Sequence, residues 1–196
     1  VRTLGPQRQP MGGKLVTSQE QRAALREPWQ RLPLSAPFRG WEWLAPFWQH
    51  YGSQRGAELY TLACFDKESL VAVAPFYRQR TPLGRVVRAL GDGEICSDYL
   101  GIPCAVGREA EVAEALARYL TTARAAAGWE LLRLEALDSS DPVLSALAAL
   151  LHARGHAVSD LVGPRCWRIE LPPSASLLEP APEADVQLRW DAYLGT

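Results

Sequence analysis

Apolar positions along the chain change their period twice. The first regular stretch opens at Ser18, which stands three residues before Gln21 in the manner of a capping box. Leu25 and Trp29 carry a helical face on to Pro33. After the loop Ser35-Ala36-Pro37-Phe38, the residues Trp41, Leu44, Phe47, Trp48 and Tyr51 recur at helical spacing. They predict a second helix, kinked by Pro46 and closed by Gly52. From Leu59 the period falls to 2. Leu59 to Phe65, Leu70 to Tyr77, Arg85 to Leu90 and a stretch around Asp98 to Ile102 read as four strands. Turns at Asp66-Lys67-Glu68, Thr81-Pro82-Leu83-Gly84 and Gly91-Asp92-Gly93 make them an antiparallel meander.

At Glu109 the period returns to 3.6. Val112, Leu116, Tyr119, Leu120 and Ala123 form one stripe with Glu111, Glu114 and Arg118 off it, so an amphipathic helix is expected up to Gly128. Glu130 to Leu137 reads as a strand. Asp141 before Pro142 is a strong helix start, with Leu144, Leu147, Leu150 and Leu151 on the buried face and Gly155 at the end. Two further strands are expected at Ala157 to Val162 and Cys166 to Leu171. The prediction is an α+β fold, a mixed but mostly antiparallel sheet with helices on both faces. Residues 1–13, polar and rich in Gly, Pro and Gln, read as a disordered lead-in, and 14–171 as the folded domain. Residues 172–187, with four prolines, read as a linker, and 188–196 as the start of a helix cut off after two turns. A helix cut short there points to a natural polypeptide that continues, or to a partner that supplies the rest.

Composition narrows the function classes. The 196 residues carry 21 Lys+Arg against 22 Asp+Glu, a formal charge of −1, so no general attraction to nucleic acid is expected. No apolar run approaches the roughly 18 residues that cross a bilayer, and the N-terminal residues lack the apolar centre of a signal peptide. The expected location is the cytoplasm. There Cys64, Cys96, Cys104 and Cys166, which form no CxxC pair, are expected as thiols. His152 and His156 lie four apart, but no Cys or carboxylate cluster follows, so no metal is expected. A P-loop, a dinucleotide fingerprint and a Ser-His-Asp or Cys-His arrangement are all missing.

A set of short motifs adds a resemblance. Pro37-Phe38 followed by Trp41-Glu42-Trp43-Leu44, then Val73-Ala74-Pro75-Phe76, Leu90-Gly91, Ser97-Asp98-Tyr99 and Gly128-Trp129 resembles the CelD-like acetyltransferases linked to cellulose biosynthesis. These are relatives of the Fem-type peptidoglycan aminoacyltransferases within the GNAT acyltransferase superfamily. The resemblance covers roughly residues 20 to 194 and corresponds to the first of two tandem GNAT-like halves; Trp190 to Leu194 resembles the opening of the second. It implies a GNAT-like sheet and transfer of an acyl group from acetyl-CoA or another acyl-CoA to an amine or hydroxyl acceptor. It also implies a splay of the fourth and fifth strands beside the site.

The candidate residues follow from that placement. The loop Gly101 to Arg108 stands where such enzymes hold the CoA pyrophosphate on backbone N–H groups, with Gly101, Gly107 and Arg108 as candidate contacts. It departs from the usual Gly-rich pattern, and Pro103 removes one donor. Asp98 and Tyr99 could act as base and acid on an acceptor, with Glu94 close in sequence. Trp41 and Trp43, in a cluster with Phe47 and Trp48, could stack on a sugar ring, although packing under the sheet accounts for such a cluster more simply. Three readings stay open: an acyltransferase half; a non-catalytic module binding a glycan, amine or peptide acceptor; and a domain that dimerises to rebuild a tandem arrangement.

Overall fold

A hairpin of two long strands, each broken once, organises the chain. A computed structural model describes residues 11–52, 56–93, 95, 97–123 and 128–163. The strands are β1 (Gly12–Val16), β2 (Glu58–Leu59), β3 (Thr61–Asp66), β4 (Ser69–Ala74), β5 (Phe76–Thr81), β6 (Gly84–Ala89) and β7 (Leu131–Arg133). The helices are α1 (Gln19–Ala23), α2 (Arg26–Gln30), α3 (Trp41–Phe47), α4 (Glu109–Ala123) and α5 (Pro142–Ala153). Pro75 has no N–H, so the ladder breaks there into two sheets, ordered β1-β3-β4 and β2-β5-β6-β7. Across the break, Tyr60 N–H donates to the Phe76 carbonyl at 3.1 Å and Leu90 N–H to that of Pro75 at 2.7 Å.

β6 and the residues after it form one interrupted strand line. The chain leaves the ladder after Leu90 and returns at Leu100, and Cys104 then bridges Ala72 of β4 in antiparallel sense. Alongside, β7 pairs parallel with β6, and beyond the interruption Leu137 bridges Leu100, again parallel. Of the expected fourth strand around Asp98 to Ile102, Leu100 alone makes a bridge among the described residues, because the Tyr99 carbonyl and Ile102 N–H go to the Arg39 and Asp141 side chains.

Alternation divides the core. Leu62, Cys64, Ala72, Ala74, Phe76 and Val87 face α4 and α5, meeting Val112, Leu116, Leu120, Val143 and Leu147. Val73, Leu59, Tyr77 and Leu90 face the other way, onto Trp29, Leu32, Leu44, Phe47 and Trp48. Helices thus cover both faces of a mixed α+β fold. Leu116 and Leu120, fully buried, each contribute on the order of 2 kcal/mol.

Several expectations change. The single helix through Leu25 and Trp29 is two short ones, since Pro28 has no N–H for the Ala24 carbonyl. Ser18 does cap the first, accepting from Gln21 N–H at 3.2 Å. After Phe47, α3 widens into a π turn over Trp48–Gly52. β1 begins inside the stretch read as lead-in; its register with β3, Gly12↔Phe65 to Val16↔Thr61, is a non-local pairing that glycine-rich residues do not announce. No strand forms at Ala157 to Val162, where Leu161 and Val162 are almost fully exposed and no neighbouring strand pairs with them among the described residues. The expected strand at 166–171, the linker at 172–187 and the helix at 188–196 lie outside the described residues. Among those described, no helix is long and apolar enough to cross a membrane.

Candidate functional site

Asp98 and Tyr99 lie where the chain re-enters the sheet, and a buried ionic knot holds the Tyr99 carbonyl. Arg39, in the turn before α3 and 6% exposed, donates from Nε to the Tyr99 carbonyl at 2.7 Å. Its Nη1 reaches Asp141 Oδ2 at 3.0 Å and its Nη2 reaches Asp138 Oδ2 at 2.8 Å. Asp141 also receives Ile102 N–H at 3.1 Å, while its other oxygen caps α5 through Val143 and Leu144 N–H. Burial acts to raise the Asp138 carboxyl, but bonds from Ser140 and the Arg39 charge outweigh it and hold the group below its ordinary value.

The knot explains two backbone features. A Cβ on Gly101 would lie 2.3 Å from Asp141 Oδ2 and 2.5 Å from Arg39 Cζ, so only glycine fits there. Tyr99 and Ala136, on the two lines that meet at the Leu100–Leu137 bridge, have φ of 54° and 56°, a strained conformation for residues with a Cβ. Asp98 is half-buried and has no hydrogen-bond or ion-pair partner among the described residues. Its carboxylate is the open group of the segment.

Trp43 joins this segment and Trp41 does not. The Trp43 indole, 39% exposed, donates to Ser97 Oγ at 2.9 Å and takes Phe38 edge-on at 5.0 Å. Trp41 instead packs edge-on against Trp29 at 5.8 Å, under the Arg22 guanidinium. Glu94 lies outside the described residues.

The loop into α4 is largely satisfied from within. Ala105 N–H pairs with the Val71 carbonyl, Arg108 N–H with that of Ala105, and Gly107 N–H with Glu109 Oε1 at 3.1 Å. Arg108 holds Glu111 at 2.7 Å and Asp66 at 3.1 Å, and the bonds from these carboxylates push its guanidinium further toward the charged form. Gly101 belongs to the knot, apart in role from Gly107 and Arg108. An anion approaching α4 meets two acidic residues in the first turn and an arginine already engaged.

Sequence reasoning passed over Arg39 and Asp92. Asp92, in the turn after β6 and 4% exposed, accepts from Tyr77 Oη at 2.8 Å and from Arg88 Nε at 2.7 Å. Arg88 also holds Glu135 at 2.7 Å, which Arg133 holds in turn. Burial pushes the Asp92 carboxyl up, against the pull of Arg88 and Tyr77. Tyr77, Arg88 and Arg133 are direct cross-strand neighbours, a relation visible only once the register is known. No group of three or more His, Cys, Asp or Glu among the described residues is arranged to hold a metal ion. Cys64 and Cys104 are free thiols, each pushed up to about 12 by burial. No protein-family model, no curated protein and no solved structure matches the chain.

Proposed function

We propose that the chain is one half of a GNAT-like, acyl-CoA-dependent acyltransferase and that it serves the acceptor side of the transfer. The observation that carries this is the strand line of β6 and residues 100–105. It is interrupted between Leu90 and Leu100, it leads into α4, and the strand after α4 runs parallel to it. At Leu100 the line pairs with residues 136–138, so the splay expected there is closed, and the open carboxylate of Asp98 stands just before that pairing. Helices followed by antiparallel strands, a helix, a parallel strand and a helix are compatible with the order that the GNAT resemblance implies, although β1 is additional and the strand expected at Ala157 to Val162 does not form. Asp98 then takes the proton of an acceptor amine or hydroxyl, Tyr99 stands beside it as acid, and Trp43 borders the acceptor.

The loop before α4 does not fit a CoA pyrophosphate as it stands. Glu109 occupies Gly107 N–H, and Asp66 and Glu111 occupy Arg108. We therefore assign acyl-CoA to the second half of a tandem arrangement. The same observation favours a second reading, a non-catalytic module that binds the acceptor.

Two measurements separate these. Titration of this chain with acetyl-CoA is expected to show no saturation; saturation abolished by Arg108→Ala would return the cofactor to this half. In the natural polypeptide, acetyl transfer to amines is expected to fall about 100-fold in Asp98→Asn. Unchanged turnover removes Asp98 from the mechanism, and no acyl transfer to any amine or hydroxyl leaves the binding module.

A further inference from the structure

An open groove of about 440 Å3 lies over the end of the β1–β3 ladder, lined by Gly12, Gly13, Lys14, Phe65, Lys67 and Glu68. The register accounts for the space. Gly12 stands opposite Phe65 and Lys14 opposite Ala63, so these four share the face on which Val16 and Leu25 pack. A Cβ on Gly12 would meet nothing within 4 Å, so the missing side chain leaves room beside the half-buried Phe65. The volume is that of a small-ligand cleft. Lys14 and Lys67 are the only lysines in the chain. Both are exposed, and neither they nor Glu68 has a hydrogen-bond or ion-pair partner among the described residues. Asp66, beside Lys67 in sequence, is engaged by Arg108 at 3.1 Å. The lining therefore presents two cations against one carboxylate. Residues 1–10, which lead into β1, bring Arg2 and Arg8 and no acidic residue to this end of the strand.

We propose that this groove binds a small phosphate monoester, its phosphate engaging both ammonium groups and its organic body seated on the glycine floor beside Phe65. The excess of positive charge disfavours a cation, and a neutral ligand leaves both lysines without a counter-charge. A lone carboxylate brings one charge for two lysines. A phosphate ester brings about two negative charges at neutral pH and three acceptor oxygens, enough to answer both. Lysine suits that task, since it offers rotatable donors on a flexible stem and meets phosphate as a point charge. Planar carboxylates in this chain are held by arginine instead, as in Arg39–Asp141 and Arg108–Glu111. Glu68 opposes the ligand and sets a limit on its affinity. The proposal does not rest on the acyl-transfer reading, and binding here requires no acyl-CoA.

The test titrates the whole chain at neutral pH and low salt with phenyl phosphate, with phenol and inorganic phosphate as controls. Saturable binding of phenyl phosphate is expected, weaker binding of inorganic phosphate, and none of phenol. Affinity is expected to fall about tenfold or more in the double variant Lys14→Gln, Lys67→Asn and to rise in Glu68→Gln. Asparagine tolerates the φ of 55° at position 67, so the turn is kept. Because the chain has no other lysine, acetic anhydride labelling of the wild type, read by mass spectrometry, reports on the groove directly. Phenyl phosphate is expected to protect both ammonium groups. No saturation, equal binding of phenol, inorganic phosphate bound as tightly as the ester, wild-type affinity in the double variant, or unprotected lysines overturns the assignment. Circular dichroism monitors the fold; if the double variant does not fold, labelling of the wild type decides. Acyl-CoA is absent throughout, so this result and that of the acetyl-transfer assay stand or fall separately.

Discussion

Arg39 shows how one side chain can hold three segments distant in sequence. Its guanidinium binds the Tyr99 carbonyl, Asp138 and Asp141, so the turn before α3, the return of the strand line and the cap of α5 share one ion. A planar fork with five donors suits such convergence, and a lysine at that position could not reproduce it. Breaking a buried pair is costly because the remaining charge has no partner. Gly101 is a sensitive position of this knot, since any Cβ there enters the Asp141–Arg39 contact. Gly101→Ala is expected to lower stability by about 3 kcal/mol in urea unfolding. A loss below roughly 0.5 kcal/mol, the range of ordinary surface changes, would mean that the knot can yield.

Among the elements, those with local causes were legible and those made by pairing were not. Asp141 before Pro142 announces α5, and the structure gives both of its capping bonds. In the stripe expected for α4, Val112, Leu116 and Leu120 are buried and Tyr119 half-buried, because a buried helix face leaves its period in the sequence. Lys67, at φ 55°, closes the turn expected between β3 and β4. β1 left no such trace, for Gly12-Gly13-Lys14 has little strand preference and is ordered by its ladder to β3. The strand expected at Ala157 to Val162 failed for the converse reason, with no neighbour among the described residues to pair with. Trp41 and Trp43 look alike in sequence, yet one turns into the helix packing and the other toward Ser97, because two residues along a helix differ by about 200° in direction.

Across the described residues pH acts on carboxylates in opposite senses, with Glu20, Glu130 and Asp138 lowered and Asp92 raised. Asp138 is held below its ordinary value of 3.8, so it stabilises the fold above that pH and the contribution is lost as pH falls through its folded value. Asp92 is raised above 3.8, so the folded state favours its proton. That contribution is present below 3.8 and disappears as pH rises through the folded value. Melting temperature is therefore expected to fall on acidification below about pH 3.8, and less steeply in Asp138→Asn than in the wild type. Parallel acid limbs in the two proteins would show that the Arg39–Asp138 pair contributes nothing to acid stability.

The sequence by itself determined the helices with caps and stripes, the hairpin turns and the α+β class, since each depends on neighbours within a few residues. It also put Asp98, Tyr99 and the loop before α4 close together, which chain order alone secures. Tertiary structure decided the rest. Only the register sets Tyr77, Arg88 and Arg133 side by side and folds Asp92 and Glu135 onto them, and only the knot separates the role of Gly101 from that of Gly107 and Arg108. Arg108 reads in sequence as a charge facing a helix start; in space Asp66, 42 residues earlier, neutralises it together with Glu111. The Arg39–Asp141 and Arg108–Asp66 pairs join groups far apart in the chain, and no local pattern encodes them.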